Sequence, residues 1–420
     1  MPGSRRSNAP TTVARPGSSY SLLDLTAVKG QVDAMVAAQV DAPALFEERL
    51  VQAVDLLVEW GQPDRWQQLQ QMIQKARVSW LFADFCGPFC EGIDAPPRPQ
   101  HLSVAATDGS QIFPDRHEIS PCYLLNIGYV LLHYGSGERA LISSRPQLYW
   151  QDQDLYQEWG GRRTGVSRDV VGFRRSLLEL TELAELAAAS QAEGHPTVAL
   201  TDGTLIMWSL EGRAPDFRDD CLGQIRGAFD LLAERRIPVA GYISRPGGSD
   251  LVNALRVAMC PMTVTQCDQC PGLQSAGEDL PVVRPCDPLE GISDGVLLRR
   301  LLQPGQRSAV FGSTSQILSD YGAHHIHFFY VHVGKEVARV EIPAYVAEDQ
   351  QLLDRVHACV IDQAAKGQGY PVSLAEAHER AVVRGADREA FYRYLEDMFV
   401  RHDIRARVSL KGLRKRSAGI

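Results

Sequence analysis

Two short stretches of the sequence share a pattern that places a carboxylate where a cation could bind. Residues 104–110 and 198–204 are each an apolar, strand-like run ending in Thr-Asp-Gly and a hydroxyl residue, so Asp108 and Asp202 follow two matched strands. If these strands are parallel neighbours, both aspartates lie at one edge of a sheet, where the glycines let the backbone turn sharply. Repeated carboxylates favour Mg²⁺ or Mn²⁺, which prefer oxygen ligands. The pair predicts metal-assisted phosphoester chemistry, although Asp-Gly alone also marks ordinary turns.

A predicted helix between the two aspartates supplies further candidate ligands. Glu179, Glu182 and Glu185 recur every three residues, a row that is also typical of a solvated helix face. We favour Glu179, then Glu182, as the residue that completes a metal site. The reason is that Arg174 and Arg175, just before them, could line a path for phosphates.

A late turn and helix add a tyrosine and a histidine to these candidates. Gly-Tyr-Pro ends a turn at Tyr370, and Ser373 with Glu376 forms a capping box that would start a helix carrying His378. A neutral imidazole could bind Mn²⁺, and a protonated one could steady a scissile phosphate. Arg245, at the end of a third apolar strand, would supply positive charge to a phosphate backbone.

A cysteine-bearing stretch near residues 260–290 is a second possible metal site. One Cys-x-x-Cys pair, Cys267 and Cys270, is flanked by Cys260 and Cys286 in a segment that contains Pro and Gly. Such a set could bind a structural zinc ion or an iron–sulfur cluster. Because the outer spacings match no familiar zinc module, ordinary free thiols remain the alternative.

These candidates must be positioned by a regular succession of strands and helices. From a strand at residues 102–107 onward, the order is strand, hairpin, helix, strand, helix, strand, which is how RNase H-like domains are built. This predicts an α/β fold with an RNase H-like mixed sheet flanked by helices.

Apolar periodicity at residues 22–40, 44–60 and 66–82 predicts an N-terminal helical region. We divide the chain into a flexible tail (1–19), the helical region (20–90), a Pro-rich linker (91–101), one catalytic domain with the cysteine insertion (102–400) and a basic tail (401–420).

Composition limits the classes of protein to which the chain can belong. Its 420 residues are 45% hydrophobic and 22% charged, which is ordinary for a globular protein. Because no run of eighteen apolar residues and no signal-like start occurs, we expect a cytoplasmic protein that does not enter membranes. Nine cysteines are too sparse for a disulfide scaffold. The net charge of −8 gives no overall attraction to nucleic acid, so DNA binding would need a local basic groove or a basic partner.

Taken together, these motifs resemble the NurA nuclease family from about residue 104 to residue 399. The resemblance is carried by the two Thr-Asp-Gly motifs, Tyr-Ile-Ser-Arg-Pro at 242–246, Phe-Phe-Tyr at 328–330, Ala-Arg-Val-Glu-Ile-Pro at 338–343, and Gly-Tyr-Pro with Ala-His at Tyr370 and His378. It implies an RNase H-like DNA nuclease that uses Mn²⁺, cuts single strands and resects duplex DNA from the 5′ end. It further implies a homodimer that works with a hexameric HerA-type ATPase in double-strand-break repair. The implied metal-site residues are Asp108, Glu179 or Glu182, Asp202, Tyr370 and His378.

Two other functions remain open at this point. An actin-like ATPase or phosphotransferase also begins with an Asp strand end followed by Gly and a hydroxyl residue. However, it needs a second glycine-rich phosphate loop, for which the sequence has no clear counterpart. A non-catalytic scaffold that docks a DNA motor ATPase would be compatible with the acidic net charge.

Overall fold

A computed structural model describes residues 25–37, 42–114, 121–159, 162–274 and 283–404. The chain divides into two compact units, residues 1–49 and 50–420. In the first unit, α1 (Leu25–Ala37) leaves Leu25 and Met35 exposed. The predicted tail 1–19 and most of the basic tail, from residue 405 on, lie outside the described residues. Among the described residues, every helix is too short or too polar to cross a lipid bilayer.

The N-terminal region predicted to be helical contains three helices and also one short strand that was not predicted. After α2 (Ala42–Trp60), α3 covers only Trp66–Lys75, and β1 (Ala83–Phe85) follows where the third helix had been predicted to end. The stretch predicted as a linker is part of the second unit, where the Ile93 N–H donates to the Arg307 carbonyl at 2.8 Å. The domain boundaries themselves stay a prediction.

The remaining elements alternate strands and helices. The other strands of the main sheet are β2 (Leu102–Ile112), β3 (Tyr123–Tyr134), β4 (Leu141–Tyr149), β7 (Thr197–Asp202), β8 (Val239–Ile243), β9 (Phe311–Ser313), β10 (Ile326–His332) and β11 (Val337–Pro343), while β5 (Tyr156–Trp159) and β6 (Arg162–Gly165) form a separate hairpin. The helices are α4 (Asp152–Leu155), α5 (Arg168–Ala192), α6 (Pro215–Glu234), α7 (Asp250–Ala258), α8 (Pro271–Gln274), α9 (Asp294–Leu298), α10 (Ala344–Ala347), α11 (Gln350–Lys366), α12 (Val372–Ala381) and α13 (Gly385–Arg401).

The main sheet has the mixed topology that the sequence predicted. Its strand order in the described residues is β1-β9-β10-β11-β8-β7-β2-β3-β4. The three consecutive strands β8, β7 and β2 are parallel, and the β2-β3-β4 meander and the β8–β11 pair are antiparallel. An antiparallel meander joined to parallel strands is the RNase H-like arrangement. The predicted α/β fold class is therefore confirmed.

Helices cover both faces of the sheet, and strand alternation decides which face each side chain meets. In β2, Ala105 packs with the buried faces of α5 and α6, whereas Val104 and Ala106 pack with α11 and α12. Buried residues of α5 recur at three- and four-residue steps, as a helix with one core-facing side requires. Asp108 and Asp202 share the parity of Val104, Ala106, Val198 and Leu200 along their strands, which directs both toward the α11–α12 face.

Candidate functional site

Asp108 and Asp202 are brought together by strand register. β2 and β7 pair in parallel up to Thr107 and Thr201, so the two aspartates are the next residues on adjacent strands. β7 ends at Asp202, where Gly203 has φ +93° and the chain turns away. Both aspartates line the cleft that opens where the parallel pairing stops.

One sequence expectation about Asp108 was wrong. β2 does not end there, because its antiparallel pairing with β3 continues through Asp108 and Gly128 as far as Ile112 and Leu124. Gly109 is therefore a strand residue rather than a turn residue. Glycine is needed here because a larger residue would collide with Glu179: a Cβ at this position would lie 2.4 Å from Oε1 of Glu179. The missing side chain lets the glutamate reach the sheet edge.

Glu179 is the α5 glutamate that enters this cleft. Only 7% of it is exposed, and burial, with repulsion from Asp108 and Asp202, raises its pKa to about 8. Oε1 lies 3.0 Å from Nε of Arg175, but at an angle that leaves both buried atoms without a hydrogen bond. A buried carboxylate oxygen without a hydrogen bond, beside two further carboxylates, is an arrangement that a bound cation would complete.

Tyr370 and His378 close the cleft from the other face of the sheet. Nδ1 of His378 lies 2.7 Å from Oδ2 of Asp108, and the Tyr370 hydroxyl donates a hydrogen bond to Asp202. The pKa of Asp202 is raised mainly by burial and is held down in part by this tyrosine. Burial and the nearby Asp202 raise the pKa of Tyr370, so its hydroxyl stays a donor.

The helix that carries His378 is fixed by contacts that the sequence analysis did not identify. α12 lies directly on β3, since a Cβ at Gly128 would lie 2.3 Å from the Ala377 carbonyl oxygen. Nδ2 of Asn126 donates to the carbonyl of Ala381 at the helix end, at 2.8 Å. A glycine inside an apolar strand is the signal that could have indicated this close approach.

The predicted capping box at the start of α12 does not form. Pro371 is the N-cap residue, and the side chain of Ser373 is buried and makes no hydrogen bond. Instead, the Ser373 N–H donates to Oε1 of Gln363 on α11, at 3.2 Å. Tertiary packing of α11 against α12 has replaced the local cap.

The loop after Asp202 is held by a buried charge pair. Oε2 of Glu341 accepts hydrogen bonds from the Thr204 hydroxyl at 2.7 Å and the Leu205 N–H at 2.9 Å, and its Oε1 lies 3.0 Å from Nε of Arg339. Both charged residues lie in β11, whose residues are all buried. Two charged residues in an apolar strand are a sequence signal for such a network.

The other predicted site residues lie apart from the two aspartates. Glu182 pairs with Arg145 on β4 at 2.6 Å, and Glu185 is exposed. Arg174 donates to the Tyr123 hydroxyl and to the Asp154 carbonyl rather than toward the cleft. Both positions follow from the rotation of α5, which directs Arg175 and Glu179, rather than Arg174 and Glu182, to the cleft.

Arg245 lies in a neighbouring cleft. Its side chain is 90% exposed, with Nε 3.8 Å from Glu336, and it adopts a left-handed φ of +45°. Arg299, Lys335 and Tyr370 line the same cleft, which we call the basic cleft. Tyr370 is thus shared between the basic cleft and the aspartate site.

A second group of possible metal ligands lies at the opposite end of β2 and β7. His133, Glu138 and His195 bring their ligand atoms within 4.8 Å of one another. Nε2 of His195 is 3.2 Å from Glu138, and Nδ1 of His133 is 2.8 Å from the Ser103 hydroxyl. The sequence analysis did not single out this group, because its members are scattered along the chain.

Comparison with known families decides where this arrangement belongs. The model of the NurA domain matches residues 102–383, about two thirds of the chain. The chain belongs to the NurA family. The resemblance inferred from the motifs is thereby confirmed, and NurA membership supports a nuclease.

Solved structures that resemble this NurA chain share little sequence identity with it. The NurA nuclease from Sulfolobus solfataricus is 15% identical, with 74% of this chain and 88% of that one covered, at a TM-score of 0.45. A NurA bound to dAMP and manganese is 12% identical, with coverages of 76% and 90% and a TM-score of 0.33. The catalytic domain of human endonuclease V is 14% identical, with coverages of 79% and 95% and a TM-score of 0.29. A search of curated proteins gave no match.

Proposed function

We propose that the protein is a divalent-cation-dependent DNA nuclease that hydrolyses phosphodiester bonds at Asp108, Glu179 and Asp202. The observation that carries the proposal is the convergence of these three carboxylates, with an oxygen of Glu179 buried and without a hydrogen bond. Family membership favours this function over an actin-like ATPase. A buried glutamate beside two aspartates lowers the stability of the fold unless a bound cation compensates the charge. A scaffold that only docks a motor ATPase would not need such an arrangement.

The donor set suits a hard cation. Asp108, Asp202 and Glu179 would supply oxygens and His378 a nitrogen, a combination that favours Mn²⁺ and accommodates Mg²⁺. A cation bound here would polarise a phosphate oxygen and lower the pKa of a bound water. We propose Mn²⁺ as the ion in use, consistent with the manganese named for one solved NurA structure.

The remaining residues have roles that follow from their contacts. With Nδ1 directed at Asp108, His378 has only Nε2 left, which would either bind the cation or donate a proton to the phosphate or the leaving oxygen. Tyr370 orients Asp202 through its hydroxyl. Arg175 faces Glu179 and also donates to Gln111 at 3.0 Å, which fixes the guanidinium beside the site.

The basic cleft gives the substrate a path away from the carboxylates. Arg245, Arg299 and Lys335 line a groove that shares Tyr370 with the catalytic site. Phosphate groups of one DNA strand would contact these side chains in a chain whose formal net charge is −8. We therefore assign Arg245 to substrate binding. We no longer assign Arg174 there, because its guanidinium is engaged by Tyr123 and Asp154.

The cellular role is proposed from the family resemblance. We propose a single-strand endonuclease and 5′-to-3′ exonuclease that resects DNA ends at double-strand breaks in the cytoplasm. It would act as a homodimer with a hexameric HerA-type ATPase. Mass measurement of the purified protein and co-purification with such an ATPase test these two assemblies separately from cleavage.

Metal-dependent cleavage is the direct test of the activity. Purified full-length protein is incubated with 5′-labelled and 3′-labelled DNA, in Mn²⁺ or in chelator, with and without ATP. We expect cleavage in Mn²⁺ without ATP, abolished by Asp108→Asn or Asp202→Asn and retained by Glu182→Gln. Wild-type rates from either aspartate variant would overturn the site, and ATP hydrolysis without DNA cleavage would favour the ATPase instead.

A further inference from the structure

Two histidines and a glutamate meet at the end of β2 and β7 that lies away from the two aspartates. His133 is near the end of β3, Glu138 is in the turn that joins β3 to β4, and His195 is in the loop between α5 and β7. One ligand atom of each lies within 4.8 Å of the other two. Ser103 pairs with His133, and the strand from Ser103 to Asp108 spans about 17 Å. The group is therefore separate from the nuclease site.

The backbone of two turns brings these side chains together. Gly135, with φ +82°, turns the chain between β3 and β4, and a Cβ there would lie 2.3 Å from the Gln100 carbonyl oxygen. The turn that carries Glu138 therefore lies directly on the segment before β2. Gly194, with φ +92°, follows α5 and reverses the chain so that His195 faces the same turn.

The spacing of the three side chains is close to that of ligands around one ion. Nε2 of His195 lies 3.2 Å from Oε2 of Glu138. Ligand atoms bonded to a tetrahedral ion at about 2.0–2.1 Å lie about 3.3 Å apart, so this pair already has that spacing. The ligand atom of His133 would have to come closer by at most about 1.5 Å.

His133 also has the outer contact that orients a ligating histidine. Its Nδ1 lies 2.8 Å from the hydroxyl of Ser103, whose side chain is buried on β2. When Nδ1 donates to this hydroxyl, Nε2 keeps its lone pair for an ion. A second hydrogen bond of this kind commonly fixes the ring and the tautomer of a metal ligand.

A surface ion pair alone does not account for the arrangement. The side chain of Glu138 is 49% exposed, and an exposed pair with His195 would contribute little to stability. The rings of His133 and His195 lie 5.0 Å apart between centroids. Two imidazoles this close would repel each other if both were protonated, whereas two neutral imidazoles can share one cation.

The four cysteines near residues 260–290 do not form a comparable group. Cys260, Cys267, Cys270 and Cys286 line one cavity with Trp80, but in the described part of the chain no three of their sulfurs lie within 4.8 Å of one another. Sulfurs bonded to one zinc ion at about 2.3 Å lie about 3.8 Å apart. All four cysteines are free thiols, which favours the alternative that the sequence left open.

We propose that His133, Glu138 and His195 bind one structural zinc ion, with water as the fourth ligand. Two imidazole nitrogens and one carboxylate are a common donor set for Zn²⁺, whereas the oxygen-rich nuclease site suits Mn²⁺ or Mg²⁺. Any proton on the imidazoles passes to solvent as the N–Zn bonds form, and no electron transfer is involved. Because β4 is an outer strand of the sheet, the ion would attach the β3–β4 hairpin to the α5–β7 loop as well as to β2.

Zinc titration of untagged full-length protein tests the proposal. The Asp108→Asn, Asp202→Asn double variant is the parent, so that the nuclease site does not contribute to binding. After treatment with chelator, we expect His133→Ala and His195→Ala in this parent to bind one zinc equivalent fewer per chain. The exposed His402 provides the control His402→Ala, which should bind as the parent does. Unchanged zinc binding in both histidine variants, or a parent that binds no zinc, would overturn the proposal.

Cobalt spectra keep the test decisive if a histidine variant does not fold. The first equivalent of Co²⁺ added to the parent should give visible bands of cobalt with nitrogen and oxygen ligands, without sulfur-to-cobalt charge transfer. Glu138→Gln, a change in an exposed turn, should weaken cobalt binding about tenfold or more because it removes a charged ligand. Sulfur bands at the first equivalent, or equal cobalt affinity in Glu138→Gln, would refute the site. Neither readout depends on DNA cleavage, so the zinc proposal and the nuclease proposal can fail independently.

Discussion

At the scale of single residues, the raised pKa of Glu179 should make the stability of the metal-free protein depend on pH. Its pKa of about 8 lies above the ordinary value of 4.5, so the folded protein holds this proton more tightly than the unfolded chain does. The resulting contribution to stability is complete below pH 4.5 and is lost as the pH rises through 8. Stability of the metal-free protein should therefore fall over this range.

Replacement of Glu179 by Gln should remove that pH dependence. Because Gln does not titrate, metal-free Glu179→Gln should lose less stability than wild type between pH 5 and 9, as measured by urea unfolding.

In wild type, Mn²⁺ must displace the proton of Glu179, so the affinity of the protein for Mn²⁺ should rise about tenfold per pH unit below pH 8. The variant should lack this slope and lose cleavage. Glu182→Gln, on the same helix but paired with Arg145 on β4, is the matched control, and equal behaviour of the two variants would refute the assignment.

His378 and Tyr370 should act on the rate rather than on the fold. We expect His378→Ala to reduce cleavage about 100-fold or more, the range of a lost general acid or base. Tyr370→Phe removes one hydrogen bond to a carboxylate, worth about 1.5–3 kcal/mol, and should raise the Mn²⁺ concentration needed for half-maximal rate. Single-turnover cleavage across a manganese titration separates the two effects. The exposed His402 provides the control His402→Ala, and loss of activity in that control would show that any histidine change is harmful.

At the scale of elements, the contact between α12 and β3 sets the position of His378. A Cβ at Gly128 would meet backbone atoms of Ala377 and Ala381 at 2.3 and 2.5 Å, so the helix would have to move. We expect Gly128→Ala to destabilise the protein by about 1–3 kcal/mol and to reduce cleavage beyond what the loss of folded protein explains. Unfolding in urea and rates per folded molecule measure both.

Gly172 on α5 is the control for this prediction. Nothing lies within 4 Å of a Cβ placed there, so Gly172→Ala should be neutral or stabilising, by about 1 kcal/mol at most. If Gly128→Ala were as harmless as Gly172→Ala, α12 would not be held by this contact.

Much of the fold could be predicted from the sequence because it depends on local pattern. Apolar strands followed by Asp-Gly indicated the paired aspartates, and the order of elements indicated the mixed sheet. What could not be predicted depends on register and rotation. The pairing of β2 with β3 carries the strand past Asp108, and only the orientation of α5 distinguishes Glu179 from Glu182. The true partner of the Ser373 N–H, Gln363, comes from another helix, a contact that no local pattern specifies.

At the scale of the whole molecule, an acidic protein has to concentrate its positive charge to hold DNA. Removal of residues 409–420 takes away Lys411, Arg414, Lys415 and Arg416, which changes the formal net charge from −8 to −12. These residues lie outside the described part of the chain. If they contact phosphates, the truncated protein should bind DNA more weakly, and the slope of log K against log salt should fall by about 0.9 for each lost contact.

The same truncation distinguishes other roles for this tail. A tail that docks the ATPase would leave DNA binding by the isolated protein unchanged and would abolish co-purification with that partner. Normal DNA binding across a salt titration together with normal co-purification would mean that the tail is only a solvated end.

The family match begins at Leu102, but the main sheet begins earlier in the chain. β1 pairs with β9 through only three residues, Ala83–Phe85, and β9 is itself three residues long. A very short outer strand is one of the ways in which proteins keep sheet edges from pairing with other chains. A truncated protein that starts at Leu102 would keep every catalytic residue and still expose β9 along that edge. Its failure in solution would then be aggregation through the uncovered edge, and activity lost in that way would say nothing about the nuclease site.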